Sequence, residues 1–450
     1  MSIKISLLEK IFIWSLIIEP MSFFVFTTSL QTFIPLTLSR TLQLLFLIGY
    51  SCNFLFFNKG VPRIKLLTTN YIYLKLFLLL TFFAGINGFY SGNYQLNTIN
   101  DINLPISALD IRAWFEVFIL LFYFFYFLIM PTYIIRSKIQ LEYLFTWVVR
   151  LMYFIVAIGL LEFICYQFLI TNLIPRHLVD SSWVDVGNRF HSFVGEPRVA
   201  FVYLIFMIAF LFLKQSITQQ KVSLVLISIL IMCAILTKAF SGIAGLIFAL
   251  GVLMVYSEKT IKSTFTSLLL IIISVAFIII SVNYSIRIYD YYKMMISIPE
   301  VITTLPLPYY LNAQAPEIIP LWLFFQRIVN FDIIYALFGS GFASSAFGIN
   351  NFLGQSYIGH NPMSQLIRLI YDSGVIGTHL YLMLMIKPIK DYLNLTHPKN
   401  SRMIWISSVF LIGAVLGVRS NVGLIYVGIL IAIMTNNLDK SFSSDVMENK

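Results

Sequence analysis

The sequence predicts an all-α polytopic membrane protein of about twelve transmembrane helices, with a large extracytoplasmic loop between the ninth and the tenth. Three observations predict it. Of 450 residues, 59% are hydrophobic and 11% are charged, with a mean hydropathy of +0.87; ordinary soluble domains carry about twice that charged share. The apolar residues come in runs of roughly 16 to 25, the length an α-helix needs to cross a hydrocarbon core. Lysines and arginines sit in the segments between those runs and sort by side.

In chain order the predicted spans are about 11–30, 40–57, 66–89, 113–135, 143–171, 197–213, 222–237, 241–256, 264–283, 363–386, 403–418 and 421–436. Lys4 and Lys10 precede the first span, and Lys59, Arg63 and Lys65 separate the second from the third. Arg136 and Lys138 follow the fourth, Lys214 and Lys221 the sixth, and Lys259 and Lys262 the eighth. Lys387, Lys390, Lys399 and Arg402 lie between the tenth and eleventh; Lys440 and Lys450 follow the last. The positive-inside rule puts all of these, and both termini, in the cytoplasm. The first apolar stretch is too long for a signal h-region and lacks a small-residue cleavage site, so it reads as a retained span. Residues 1–450 read as one integral-membrane domain, with 284–362 as a loop capping the outer face.

Composition excludes several function classes. Cys52, Cys165 and Cys233 all fall in apolar segments, which indicates neither a disulfide framework nor a zinc site. The net charge of +10 is spread over short loops, as membrane orientation requires, and points to no nucleic-acid partner. No P-loop is present, so ATP-driven transport has no support. The outer loops hold neither DxD nor HExxH, so no metal-ligand set and no cofactor is expected.

The outer side differs in kind from the inner one. Its basic residues are Arg40, Arg112, Arg176, Arg189, Arg198, Lys238, Arg287, Lys293, Arg327, Arg368 and Arg419. Topology needs only positive charge, which lysine supplies as well as arginine does. A planar fork grips phosphate or carboxylate better, so the arginine bias points to an anionic ligand on that face. Snorkelling at the interface is the plainer account of any single one. Two outer segments are long, 172–196 and 284–362. The second is rich in aromatics and prolines and contains an amphipathic run near 317–338. Its composition argues for a folded cap rather than disorder.

The chemistry is expected between Trp322 and Gly377. Arg327 precedes the break at Gly339-Ser340-Gly341, and a polar loop leads to His360-Asn361-Pro362. Asn361 suits an N-cap and Pro362 a first helical turn. A helix N-terminus favours the neutral imidazole, so His360 is a candidate general base. Residues 360, 364 and 368 share a face at helical spacing, which would bring Arg368 beneath it.

A second constellation is Arg189…Gly195-Glu196-Pro197-Arg198. Glu196-Pro197 has a structural reading, since both suit a helix start. Arg198 opposes that helix dipole, a cost that a bound anion would reverse. Lys238 and Ser241 form a short outer turn that reads equally well as a plain turn or a ligand contact. Glu19, Lys75, Glu116, Arg150, Glu162 and Asp372 lie in or at the ends of spans, where charges face a bundle interior. They read as buried pairs or as a transporter relay.

Arg189…Gly195-Glu196-Pro197, the turn Thr237–Gly242, and Arg327…Gly339-Ser340-Gly341…His360-Asn361…Gly374…Gly377 together resemble the O-antigen polymerase and ligase superfamily. The likeness is one of pattern over roughly residues 185–380, and the turn departs from it by lacking an arginine after the serine. The resemblance implies inverting, metal-independent glycosyl transfer at the periplasmic face of a bacterial inner membrane. The donor would be an oligosaccharide on undecaprenyl diphosphate and the acceptor another lipid-linked unit, as in a polymerase. A ligase would use lipid A–core instead, and a flippase of lipid-linked sugars is the third reading. The resemblance further implies that His360 takes the acceptor hydroxyl's proton and that Arg327, catalytic with it, holds the diphosphate together with Arg189 and Arg198 as charge develops on it. Glu196, Arg287, Asn361, Arg368 and Lys238 are further candidates for holding diphosphate or glycan. Partners would be that lipid-linked substrate, membrane lipid and a chain-length-regulating membrane protein.

Overall fold

The computed structural model describes residues 5–21, 38–57, 71–93, 112–168, 189–194, 197–239, 242, 315–352, 362, 364–395 and 401–440. Every regular element among them is helical. Five stretches are long and apolar enough to cross a membrane: Ile72–Tyr90, Glu116–Ile134, Lys138–Gln167, Pro197–Thr218 and Gln365–Leu395. Shorter apolar helices at Leu224–Leu236, Ser401–Gly417 and Val422–Asn436 fall on three more of the expected runs. Apart from residue 242, the runs at 241–256 and 264–283 lie outside the described residues, as does the loop from 284 to 314. The chain divides into two compact units, each discontinuous in sequence.

The first unit comprises Met1–Leu66, Tyr123–Ser257 and Lys387–Lys450. It opens with α1 (Leu7–Ile18), started by a capping box in which Ser6 Oγ accepts from the Glu9 amide and Glu9 accepts from Ser6 N–H. α2 (Leu38–Phe57) packs along α1. Glu19, at the end of α1, accepts from Arg40 at 2.8 Å and from Gln43 at 2.7 Å, both on α2. A buried carboxylate would be costly alone; here a guanidinium and an amide satisfy it.

Next in chain order, α3 (Ile72–Tyr90) and nearly all of α4 (Arg112–Tyr123) belong to the second unit, and the first resumes with a π-helical stretch, Phe124–Ile129, and α5 (Met130–Ile134). The carbonyl of Phe127 in that stretch is packed against Gly428 so closely that a Cβ there would clash with it. α6 (Lys138–Gln167), α7 (Pro197–Thr218) and α8 (Leu224–Leu236) complete the middle of the unit, with Pro197 at the first helical position as expected.

The second unit comprises Leu67–Phe122 and Glu258–Ile386. Its expected amphipathic run is two helices, α9 (Ala315–Val329) and α10 (Ile333–Phe338), followed by α11 (Ser344–Phe352). α12 (Gln365–Leu395) begins two residues after the expected start of the span at 363 and three after Pro362. Pro362 and Ser364 lie outside the helix, and Ser364 Oγ accepts from the Ile367 amide at 3.4 Å, the capping role expected of Asn361. His360, Asn361, Arg287 and Glu196 lie outside the described residues.

α12 is interrupted at Gly374, whose φ of 66° is left-handed. The interruption frees the carbonyls of Tyr371 and Asp372, which accept from the amides of Ser340 and Gly341, each at 3.0 Å. Gly339, with φ 84°, ends α10 and lets the chain cross there. A Cβ on Gly339 would strike the Asp372 carbonyl, and one on Gly374 would strike that of Leu337. The two glycines are one crossing seen from its two sides. α13 (Ser401–Gly417) packs on α7 in the first unit, and α14 (Val422–Asn436) on the π-helical stretch and α5.

Candidate functional site

In the second unit Arg368 and Arg327 differ in what they meet. Arg368 is 3% exposed and its guanidinium is shared between Glu116, at 3.1 Å, and Asp372, at 3.3 Å. Asp372 is fully buried and also accepts from the amides of Ala343 (2.8 Å) and Ser345 (2.9 Å). Those amides belong to the start of α11, so a carboxylate on α12 neutralises the positive end of another helix. Phe342 lies 4.9 Å from the Arg368 guanidinium carbon. Arg368, expected among the ligand-holding residues, thus ties together α4, α11 and α12.

Arg327 is arranged differently. Its guanidinium carbon lies 5.0 Å from the Tyr335 ring centroid and 4.9 Å from that of Tyr371. One nitrogen reaches the Tyr371 hydroxyl at 3.4 Å. Among the described residues no carboxylate lies within ion-pair distance of it. Tyr335 is in turn held by Ser91, its hydroxyl donating at 2.5 Å, and Asn93 donates to the Ser340 carbonyl at 2.9 Å. Two tyrosine rings thereby hold a half-buried guanidinium in one orientation with donors left over.

The first unit holds the other sequence candidates. Arg189 donates from Nε to the Thr237 carbonyl at 2.8 Å and from an Nη to that of Lys238 at 2.9 Å, while the Phe190 amide donates to Leu236 at 2.9 Å. Arg189 and Phe190 therefore cap the C-terminal end of α8, where cations and N–H donors are favoured. Lys238 sits in the turn with φ 49° and an exposed side chain. Partial burial lowers its ammonium below the usual lysine range, and the adjacent Arg189 charge adds to that. Arg198 is half-buried in the first turn of α7.

Sequence reasoning missed His191. It is 2% exposed, and its Nδ1 lies 3.2 Å from a Glu162 carboxylate oxygen on α6 without the alignment of a hydrogen bond. Gly159, one turn earlier on α6, admits Phe190 and Ser192 onto the helix, where Ser192 Oγ donates to the Ile155 carbonyl at 2.7 Å. A glycine three residues before an intramembrane glutamate was the available signal, since both share one helix face.

Of the remaining intramembrane charges, Glu19 and Glu116 are paired as described, and Lys75 and Arg150 are exposed, the latter 5.1 Å from the Trp147 ring. Among the described residues no cluster of three metal-ligating side chains occurs. Arg189 and Arg198 belong to the first unit and Arg327 and Arg368 to the second. Compared with known proteins, the chain matches no family model, no curated protein and no solved structure.

Proposed function

We propose that the protein is a membrane glycosyltransferase that polymerises lipid-linked oligosaccharide units, with Arg327 gripping the donor diphosphate and His360 taking the acceptor hydroxyl's proton. The observation that carries this reading is the clamp on Arg327. Arg40, Arg189 and Arg368 direct their forks at protein carboxylates and carbonyls. Arg327 instead meets two aromatic faces and a phenol, which orient it without neutralising it. A diphosphate leaving group without a metal needs such a cation where its charge develops. The residue pattern through Gly339-Ser340-Gly341, His360-Asn361 and Gly374 supports the same reading by resemblance.

The proposed spans number twelve, in a bacterial inner membrane with the Arg327 region periplasmic. Loss of the gene decides between polymerase and ligase. Without a polymerase, the core carries single repeat units; without a ligase, polymer accumulates on its lipid carrier and the core stays bare. His360→Ala should lower chain elongation about 10²- to 10⁴-fold, the usual effect of removing a positioned base, with the protein still inserted. Long chains at undiminished rate from that variant exclude the assignment.

A further inference from the structure

We infer that the α9–α10 hairpin is an interfacial element whose outward face docks into lipid, in the leaflet where α3 ends. Ile328 and Val329 on α9, Phe331 in the turn, and Ile333, Ile334 and Leu337 on α10 are between 38% and 84% exposed. They fall at helical spacing on one side, while Phe324 and Ala336 pack inward against Tyr371. An exposed apolar surface of this extent marks a membrane or partner contact.

Continuity with a lipid-facing span selects lipid. α3 has 19 residues, so it is about 28 Å long and matches one hydrocarbon thickness. Its own side chains Leu79, Phe82 and Phe83 are exposed, as those of a span bordering lipid are. Ser91 and Asn93, just past its end, are the residues that hold Tyr335 and Ser340. α10 is therefore fixed at the level where a membrane-crossing helix leaves the hydrocarbon. There an apolar face meets acyl chains, and a polar turn such as Asn330 and Asp332 meets water. Arg327 stands against Tyr335 of the same hairpin, at the depth of lipid phosphates. Its anion would accordingly arrive on a lipid from within the bilayer; that last step rests on the diphosphate reading above, whereas the lipid docking does not.

Single nitroxide labels on the full chain in lipid nanodiscs test this, with Cys52, Cys165 and Cys233 replaced. Labels at Phe331→Cys, Ile334→Cys and Leu337→Cys should be several-fold more accessible to oxygen than to a water-soluble nickel chelate, matching Phe83→Cys on α3. A label at Asp332→Cys should show the reverse. Preference for the chelate at Ile334 and Leu337 overturns the inference, and so does shielding from both agents, which would mean a protein partner covers the face. In a second arm, farnesyl diphosphate in the nanodisc should bind at least tenfold more tightly than free pyrophosphate, with binding weakened by Arg327→Ala. Equal binding of the two overturns delivery from the bilayer. If neither binds while the labels report lipid, the diphosphate reading fails and the docking stands.

Discussion

Two arginines on neighbouring elements of one unit show how little residue type alone says about role. Arg368 is enclosed by Glu116 and Asp372, and Asp372 also caps α11. Removing one partner of a buried ion pair leaves the other uncompensated, which costs about 3–5 kcal/mol. Asp372→Ala should therefore destabilise the protein by that order, and Asp372→Asn by less, because an amide oxygen still accepts from Ala343 or Ser345. Thermal unfolding in detergent, followed by loss of monodisperse protein, measures both. A wild-type midpoint for Asp372→Ala would mean the network is not formed. For Arg327 the expectation is opposite, with stability nearly unchanged and anion binding lost. Arg327→Lys keeps the charge but not the fork. The loss of a charge-assisted hydrogen bond, about 1.5–3 kcal/mol, amounts to roughly 10- to 100-fold in affinity for a diphosphate lipid. Equilibrium binding of that lipid to the variant checks it.

At the scale of elements, two places depend on the absence of a side chain. α14 approaches the π-helical stretch through Gly428, and α10 crosses the break in α12 through Gly339 and Gly374. Small residues allow membrane helices close backbone approach, and their packing is what holds such helices together. Gly428→Ala should cost about 1–3 kcal/mol, as overpacking does, with no change in the α10–α12 crossing. Gly374→Ala adds a left-handed backbone penalty to its clash and should cost more than Gly428→Ala. Ranking the unfolding midpoints of the two variants tests that order. Gly-Ser-Gly was legible as a break because glycine stops helices. Its partner carbonyls lie some thirty residues away, and no local pattern names them.

For the whole molecule, the proposed orientation rests on the positive-inside rule and can be tested directly. Cysteines placed in the turns 219–223 and 135–137 should react only with reagents admitted to the cytoplasm, and those at 91–93 and 237–239 only with reagents outside. Labelling of both sets from one side would contradict the alternating arrangement. Three arginines of the set expected on the outer side have their partners within the protein. Arg40 satisfies Glu19, Arg189 satisfies the end of α8, and Arg368 satisfies two carboxylates. In hydrocarbon each such group must find a partner inside the protein, and a guanidinium supplies several donors at once.

Among the described residues, helices such as Pro197–Thr218 fall on the expected runs because an apolar run has no other stable form in a bilayer, and Pro197 announces where that one starts. The start of α12 was misplaced because Asn361 and Ser364 are both good caps, and propensity does not rank them. What the sequence by itself determined is a helical chain whose described residues include five helices long and apolar enough to cross a membrane. Which cations are neutralised and which remain available was decided only by the tertiary structure. Pairing depends on side chains brought together from distant segments, as Glu116 and Asp372 are around Arg368, and hydropathy carries no record of that.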